Sequence, residues 1–268
     1  MLTTLPIEET SYSGNLLVLD EISKLLCKGK TSIDAKKGLA ACGIPIVGDQ
    51  LTHSRLAHLK ELRSNDINSY ERLQWLLPSF GWFHLEMTLA NAILTTHRGS
   101  PESHGFTRSI HQLGTKGLPE NNKKPYFHTV ETLLDVELKA RVQALWLWVT
   151  GKKSIRDVYN LLDTPQGPEK MLGCAQRILD ERTSTAAIKR LEDDNKGNDE
   201  VLRDSSLCTR DLLLYSQVRK VTRNGDVGHL EALLPRLALS FKGANCSNYS
   251  SMLLEYMLWS KEAPPGVR

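Results

Sequence analysis

Ile44-Pro45-Ile46-Val47-Gly48-Asp49-Gln50-Leu51-Thr52 is the stretch on which the fold turns. Ile44, Pro45, Ile46 and Val47 form a short run rich in β-branched residues that suits a buried strand. Pro45 lies near its start, where a missing N–H is tolerated. Gly48 closes the run, and a helix carrying Leu51, Leu56, Leu59 and Leu62 begins at Asp49 or Gln50. Asp49 therefore stands at the carboxyl end of a strand, where open α/β sheets place their ligands. Two roles fit it there. It can cap the helix, for which Asp is among the best residues. It can also serve a hard cation such as magnesium, which takes one or two carboxylates and completes its shell with water.

Outward from this point the pattern is mostly helical. Upstream, Asn15 is a candidate cap for a helix with Leu16, Leu19, Ile22 and Leu26 on one side, and a short polar helix follows over 33–41. Downstream, 73–80 reads as a second strand interrupted by Pro78. Gly81-Trp82-Phe83-His84-Leu85 then opens a helix over 82–94, with Phe83, Met87, Ala90 and Leu94 as its apolar line and His84, Thr88, Asn91 and Thr95 as its polar line. Strand signals stop there. A long Gly-, Pro-, Ser- and Asn-rich connection over 99–126 holds one short helix at 106–113, and connections of that length often carry function. Helices are expected over 129–149 (stripe Leu134, Leu138, Val142, Leu145, Trp148), 168–179, 185–191, 201–221, 230–241 and 248–260. The fold class is α/β but predominantly helical. The alternative is a mainly α protein in which the strand at 44–47 stands nearly alone.

Composition excludes more than it assigns. A net charge of +3 is too small to infer nucleic-acid binding from charge alone. The 5 cysteines (Cys27, Cys42, Cys174, Cys208, Cys246) never form CxxC, which suits reduced, mostly buried thiols of an intracellular protein. No His or Cys spacing suits a zinc site. Neither a secretory signal nor an apolar stretch of membrane-spanning length is visible, so a soluble intracellular protein with no membrane partner is expected.

Glu255 is the other acid of interest. Met252, Leu253, Leu254, Tyr256, Met257, Leu258 and Trp259 surround it, so the helix should be buried on every face. A lone ionised Glu there is costly unless it is paired, metal-bound or protonated. A salt bridge or an edge left bare by a missing part of the domain would also explain it. His84 and Gln50 are candidates to support a site at Asp49, with a structural histidine as the plainer reading of His84. Trp82, Phe83, Trp146, Trp148 and Trp259 read as core. Ser11-Tyr12-Ser13-Gly14 and Gly225-Asp226-Val227-Gly228 match no phosphate loop.

Five motifs in order carry a resemblance: LPIEETSYSGN (5–15), GDQLT (48–52), GWFHLEMTLANAI (81–93), GDVGHLEALLP (225–235) and FKGANCSNYSSMLLEYM (241–257). Together they resemble an uncharacterised family of fungal proteins, a domain of unknown function associated with mobile-element-derived genes. That family is similar in turn to transposases with a ribonuclease-H-like fold. The resemblance implies a partial ribonuclease-H-like region over 1–98, a large all-helical insertion over 99–224 and C-terminal helices over 225–268 that return to the core. It implies Asp49 and Glu255 as the second and third acids of a magnesium site, DNA as a partner and the nucleus as one address. The first acid has no counterpart, since Asp20 falls in an amphipathic helix. The chain therefore reads as trimmed at its N-terminus and as a catalytically inactive remnant of a metal-dependent DNA strand-transfer enzyme. A non-enzymatic structural or protein-interaction domain is the alternative, and oligomeric state is left open.

Overall fold

The structure is a computed structural model that describes residues 4–8, 10–27, 33–116, 118, 125–193 and 199–262. It is predominantly helical with one two-stranded parallel sheet. The chain divides into two compact units, Met1–Leu85 with Leu234–Arg268, and Glu86–Leu233.

In the first unit, α1 (Tyr12–Leu26) is capped by Ser11, whose Oγ accepts the Gly14 N–H at 3.0 Å. Asn15, the expected cap, instead lies buried in the first turn and donates its side-chain N–H to the Ser11 carbonyl at 2.8 Å. Leu19 packs in one cluster with Leu39 of α2 (Ile33–Ala40) and with Leu56, Leu59, Leu73, Trp75 and Leu76. β1 (Ile44–Gly48) and β2 (Leu76–Phe80) run parallel in the register Ile44↔Leu76 to Gly48↔Phe80. Between them in sequence comes α3 (Gln50–Leu62), the crossover that a parallel pair requires.

β1 is not buried. Ile44 and Ile46 pack on the core, whereas Pro45 is exposed and Val47 is 64% exposed, because the period-2 alternation leaves one face uncovered. β2 begins at Leu76 rather than at Leu73. Leu73 sits in the left-handed region (φ 53°), inside a series of turns in which its N–H donates to Tyr70 and its carbonyl accepts from Leu76. The buried side chains of Leu73 and Trp75 hold that turn in place.

α4 (Trp82–Thr96) buries Leu85, Leu89, Ala90, Ile93 and Leu94, so its apolar face is rotated from the expected one. Phe83 is 53% exposed and rests its ring edge on His84 at 6.0 Å. The leucines at i and i+4 bury a broader stripe than Phe83 and Met87 offer.

The second unit contains no strand among its described residues. Its helices are α5 (Phe106–Leu113), α6 (Phe127–Thr150), α7 (Ile155–Leu162), α8 (Gly167–Ile178), α9 (Thr185–Asp193) and α10 (Glu200–Asn224). α8 runs into a π-helical turn, Leu179–Thr183. Val130, Leu133 and Leu134 of α6 and Leu212, Tyr215 and Val218 of α10 are buried. Of the expected stripe of α6, Leu134 is buried and Leu138, Val142 and Leu145 are half-buried. Trp148 is 39% exposed, with the Arg182 guanidinium over its ring at 4.1 Å.

Charged groups also lie inside this unit. Arg219 pairs with Glu131 and, at 2.6 Å, with Asp135, while Arg223 reaches Glu131 at 3.1 Å. Glu86 is 6% exposed, and burial raises its carboxyl above the ordinary range against the opposing pull of Thr222, Arg223 and Arg219.

α11 (Val227–Gly243) carries Pro235 in its interior, and Leu237 and Phe241 of its second half are buried. Phe241 stacks on Tyr249 of α12 (Ser247–Glu262) at 5.3 Å. α12 is not buried all round. Met252 and Leu253 are buried, but Leu254, Glu255, Leu258 and Trp259 are exposed, because only one side of the helix meets the rest of its unit. No helix among the described residues is long and apolar enough to cross a membrane. All five cysteines are free, and only Cys208 is buried, so the expectation of mostly buried thiols fails.

Candidate functional site

The carboxyl ends of β1 and β2 carry the residues singled out from the sequence. Gly48 ends β1, its carbonyl accepting the Gly81 N–H at 2.7 Å, and Asp49 follows in extended conformation (φ −71°, ψ 177°) as the cap of α3. Glycine is required at 48 because a Cβ there would lie 2.6 Å from the Thr52 side chain. Asp49 Oδ1 accepts the Thr52 N–H at 2.7 Å. That bond holds the Asp49 carboxyl below its ordinary range, and the Thr52 hydroxyl and the nearby His84 pull it the same way. The capping role is therefore occupied, by an acid that stays ionised.

The remaining candidates have their own surroundings. Gln50 Nε2 donates to Ser54 Oγ at 2.8 Å, one turn along its own helix. His84 is exposed at the start of α4. Glu255, expected to be buried, is exposed instead, and its charge acts on His53 of α3. Burial lowers the His53 pKa, and Glu255 opposes that shift. Asp49 and Glu255 thus belong to one unit, and each is coupled to a different imidazole.

What sequence reasoning missed is the aromatic joint beside Glu255. Phe80 meets Trp82 at 4.8 Å and Tyr256 at 5.5 Å, both edge to face, and His53 lies 6.2 Å from Phe80. This joint brings α12 to the carboxyl end of β2. The signal was present in Tyr256, the neighbour of Glu255, and in His53, one helical turn beyond Asp49.

A magnesium centre of the two-metal type needs several converging carboxylates. The residues present do not fit one. Asp49 already accepts from the first turn of α3, and among the described residues no three His, Cys, Asp or Glu side chains converge.

A cleft of about 330 Å³ opens beside Asp49 and His84, bounded by β1 and by Val18, Leu19 and Ile22 of α1. The second unit has a polar cleft of its own, of about 450 Å³, in the connection after α4. There His97 Nε2 lies 2.9 Å from Asp211 Oδ2, and Arg141 pairs with Glu137 at 3.1 Å and donates to Ser205 Oγ at 3.0 Å. Each of these charges already has a partner. Comparison with curated proteins and with solved structures returns no match. The sequence itself is matched along its whole length, and the chain belongs to DUF6589, a family of unknown function, over residues 1–268.

Proposed function

We propose that the chain is a transposase-derived domain of ribonuclease-H-like ancestry, of fungal mobile-element origin, that no longer carries out metal-dependent strand transfer. Three features support the ancestry. Asp49 follows the first strand of a parallel strand–helix–strand unit, Glu255 stands on the last helix of the same compact unit, and the helical residues Glu86–Leu233 come between them in the chain. The loss of chemistry rests on two observations: Asp49 is occupied as a helix cap, and no three His, Cys, Asp or Glu side chains converge among the described residues. Magnesium is then bound weakly, and DNA is the partner that this ancestry implies.

The test is incubation of the purified chain with supercoiled plasmid and magnesium or manganese. No nicking is expected. Robust metal-dependent nicking that disappears in both Asp49→Ala and Glu255→Ala would overturn the proposal. Duplex DNA should be bound with an affinity that falls steeply with salt, as phosphate contacts require. Absence of DNA binding would favour a second reading, a non-enzymatic protein-interaction domain, for which the uncovered face of β1 speaks.

A further inference from the structure

We propose that the open edge of β1 is a docking site for an extended strand of another protein, which joins the sheet in parallel as its third strand. This inference does not depend on the ancestry proposed above. In a parallel pair, alternate residues of each strand direct both main-chain groups to the partner. The bonds from Ile44 N–H to the Trp75 carbonyl and from Gly81 N–H to the Gly48 carbonyl, both 2.7 Å, assign Ile44, Ile46 and Gly48 to the β2 side. The N–H and C=O of Val47 and the C=O of Pro45 therefore face away from β2, and no group among the described residues takes them.

The two edges of the sheet differ. On the outer edge of β2, the Leu76 N–H donates to the Leu73 carbonyl at 3.1 Å, and its C=O accepts from Lys60 Nζ at 2.5 Å. Pro78 has no N–H to offer, and Phe80, the remaining outward residue of β2, is 3% exposed, so that edge is covered where Val47 on β1 is 64% exposed. The edge of β1 instead borders the 330 Å³ cleft, which Val18, Leu19 and Ile22 of α1 and Thr52 and Leu56 of α3 also line. A parallel sheet is ordinarily covered, and an edge with free donors and acceptors accepts an added strand.

Three features select the occupant. The free main-chain groups demand an extended backbone. On the α1 wall Val18, Leu19 and Ile22 stand beside the polar Asn15, and these three call for β-branched or leucine side chains facing them. At the carboxyl end, the ionised Asp49 calls for a basic residue on the incoming strand. A second copy of the chain fits less well. Two β1 edges facing each other would each bring an α1 wall, and each would bring Pro45 without a donor.

The probe is a blocked hexapeptide of alternating valine and threonine with lysine at its C-terminal end, titrated into the isotopically labelled full chain. Amide exchange of Val47 should be fast in the free chain and slow at least about tenfold with peptide, and Ile46 and Gly48 should be protected throughout. Val47→Pro removes an outward donor without breaking the β1–β2 ladder. It should leave thermal stability near wild type and weaken the peptide about tenfold, as loss of a hydrogen-bond donor predicts. Val18→Glu, on the opposite wall, should weaken it similarly. Asp49→Asn should remove the preference for a lysine-ended over a glutamate-ended peptide. Binding untouched by both Val47→Pro and Val18→Glu, or no peptide-dependent protection of Val47, would overturn the proposal. Concentration-dependent self-association abolished by Val47→Pro would overturn the stated occupant in favour of a second copy.

Discussion

Replacing Asp49 with alanine removes the oxygen that accepts the Thr52 N–H at 2.7 Å and leaves that amide at the start of α3 to water. Loss of an Asp cap costs about 1 kcal/mol, within a range of roughly 0.5–2. Loss of its charge at the positive end of the helix adds a few tenths of a kcal/mol at an exposed position. In a chain of this length about 1 kcal/mol lowers the melting temperature by roughly 2–4 °C. Asparagine keeps the acceptor and gives up the charge, so Asp49→Asn should lie within about 1 °C of wild type, caps of the two kinds being nearly equal. The assay is thermal unfolding followed by circular dichroism, with amide exchange of Leu51 and Thr52 as the local readout.

The sign with pH follows from the depressed carboxyl. Its stabilisation is present above the unfolded pKa and lost as pH falls through the folded one, so the gap between wild type and Asp49→Ala should be full at pH 7 and close in acid. The reasoning fails if Asp49→Ala is more stable than wild type at pH 7. That outcome would mark Asp49 as a strained functional charge, whose removal relieves the fold.

Three further outcomes are expected. Burial raises the Glu86 carboxyl, so wild-type stability from this group is full below its unfolded pKa and falls as pH rises through the folded one. Glu86→Gln should therefore gain melting temperature relative to wild type between pH 4 and pH 7, and calorimetry at both pH values checks this. Gly14→Ala would set a Cβ 1.9 Å from the Glu8 carbonyl oxygen, and chemical denaturation should show a loss of at least about 1 kcal/mol as overpacking displaces 4–8 from α1. The Cys208 thiol is pushed up to about 12 by burial, whereas Cys42 is exposed; at pH 8 a thiol reagent should label Cys42 promptly and reach Cys208 only on unfolding, read by peptide mapping.

The helices of the second unit were legible because long amphipathic periods survive without tertiary context. The start and end of α6 and α10 fall within a few residues of those expected. Faces were harder. α6 has more apolar positions than its neighbours bury, so Leu138 and Trp148 could not be told from Val130 and Leu133 by period alone. The strand at Ile44 was readable from β-branching, but its open side was not, because coverage is a property of what packs nearby. Asp49 as cap followed directly from its place before Gln50. The exposure of Glu255 did not, since an apolar neighbourhood in sequence says nothing about which side of α12 meets the joint at Phe80 and Tyr256. Leu73 in a left-handed turn has no local signal at all.

The first unit is assembled from Met1–Leu85 and Leu234–Arg268, with all of Glu86–Leu233 made between them. On the ribosome this ordering becomes a delay. At about 5–20 residues per second the intervening chain takes roughly 7–30 s to synthesise. Throughout that interval Phe80 and Trp82 have emerged without Tyr256, and the sheet without α12. The inner unit needs only contiguous chain and can fold as it appears. The outer one must stay unfinished until its last segment is released, exposing apolar and strand-edge surface to chaperones for longer than any other part of the nascent protein.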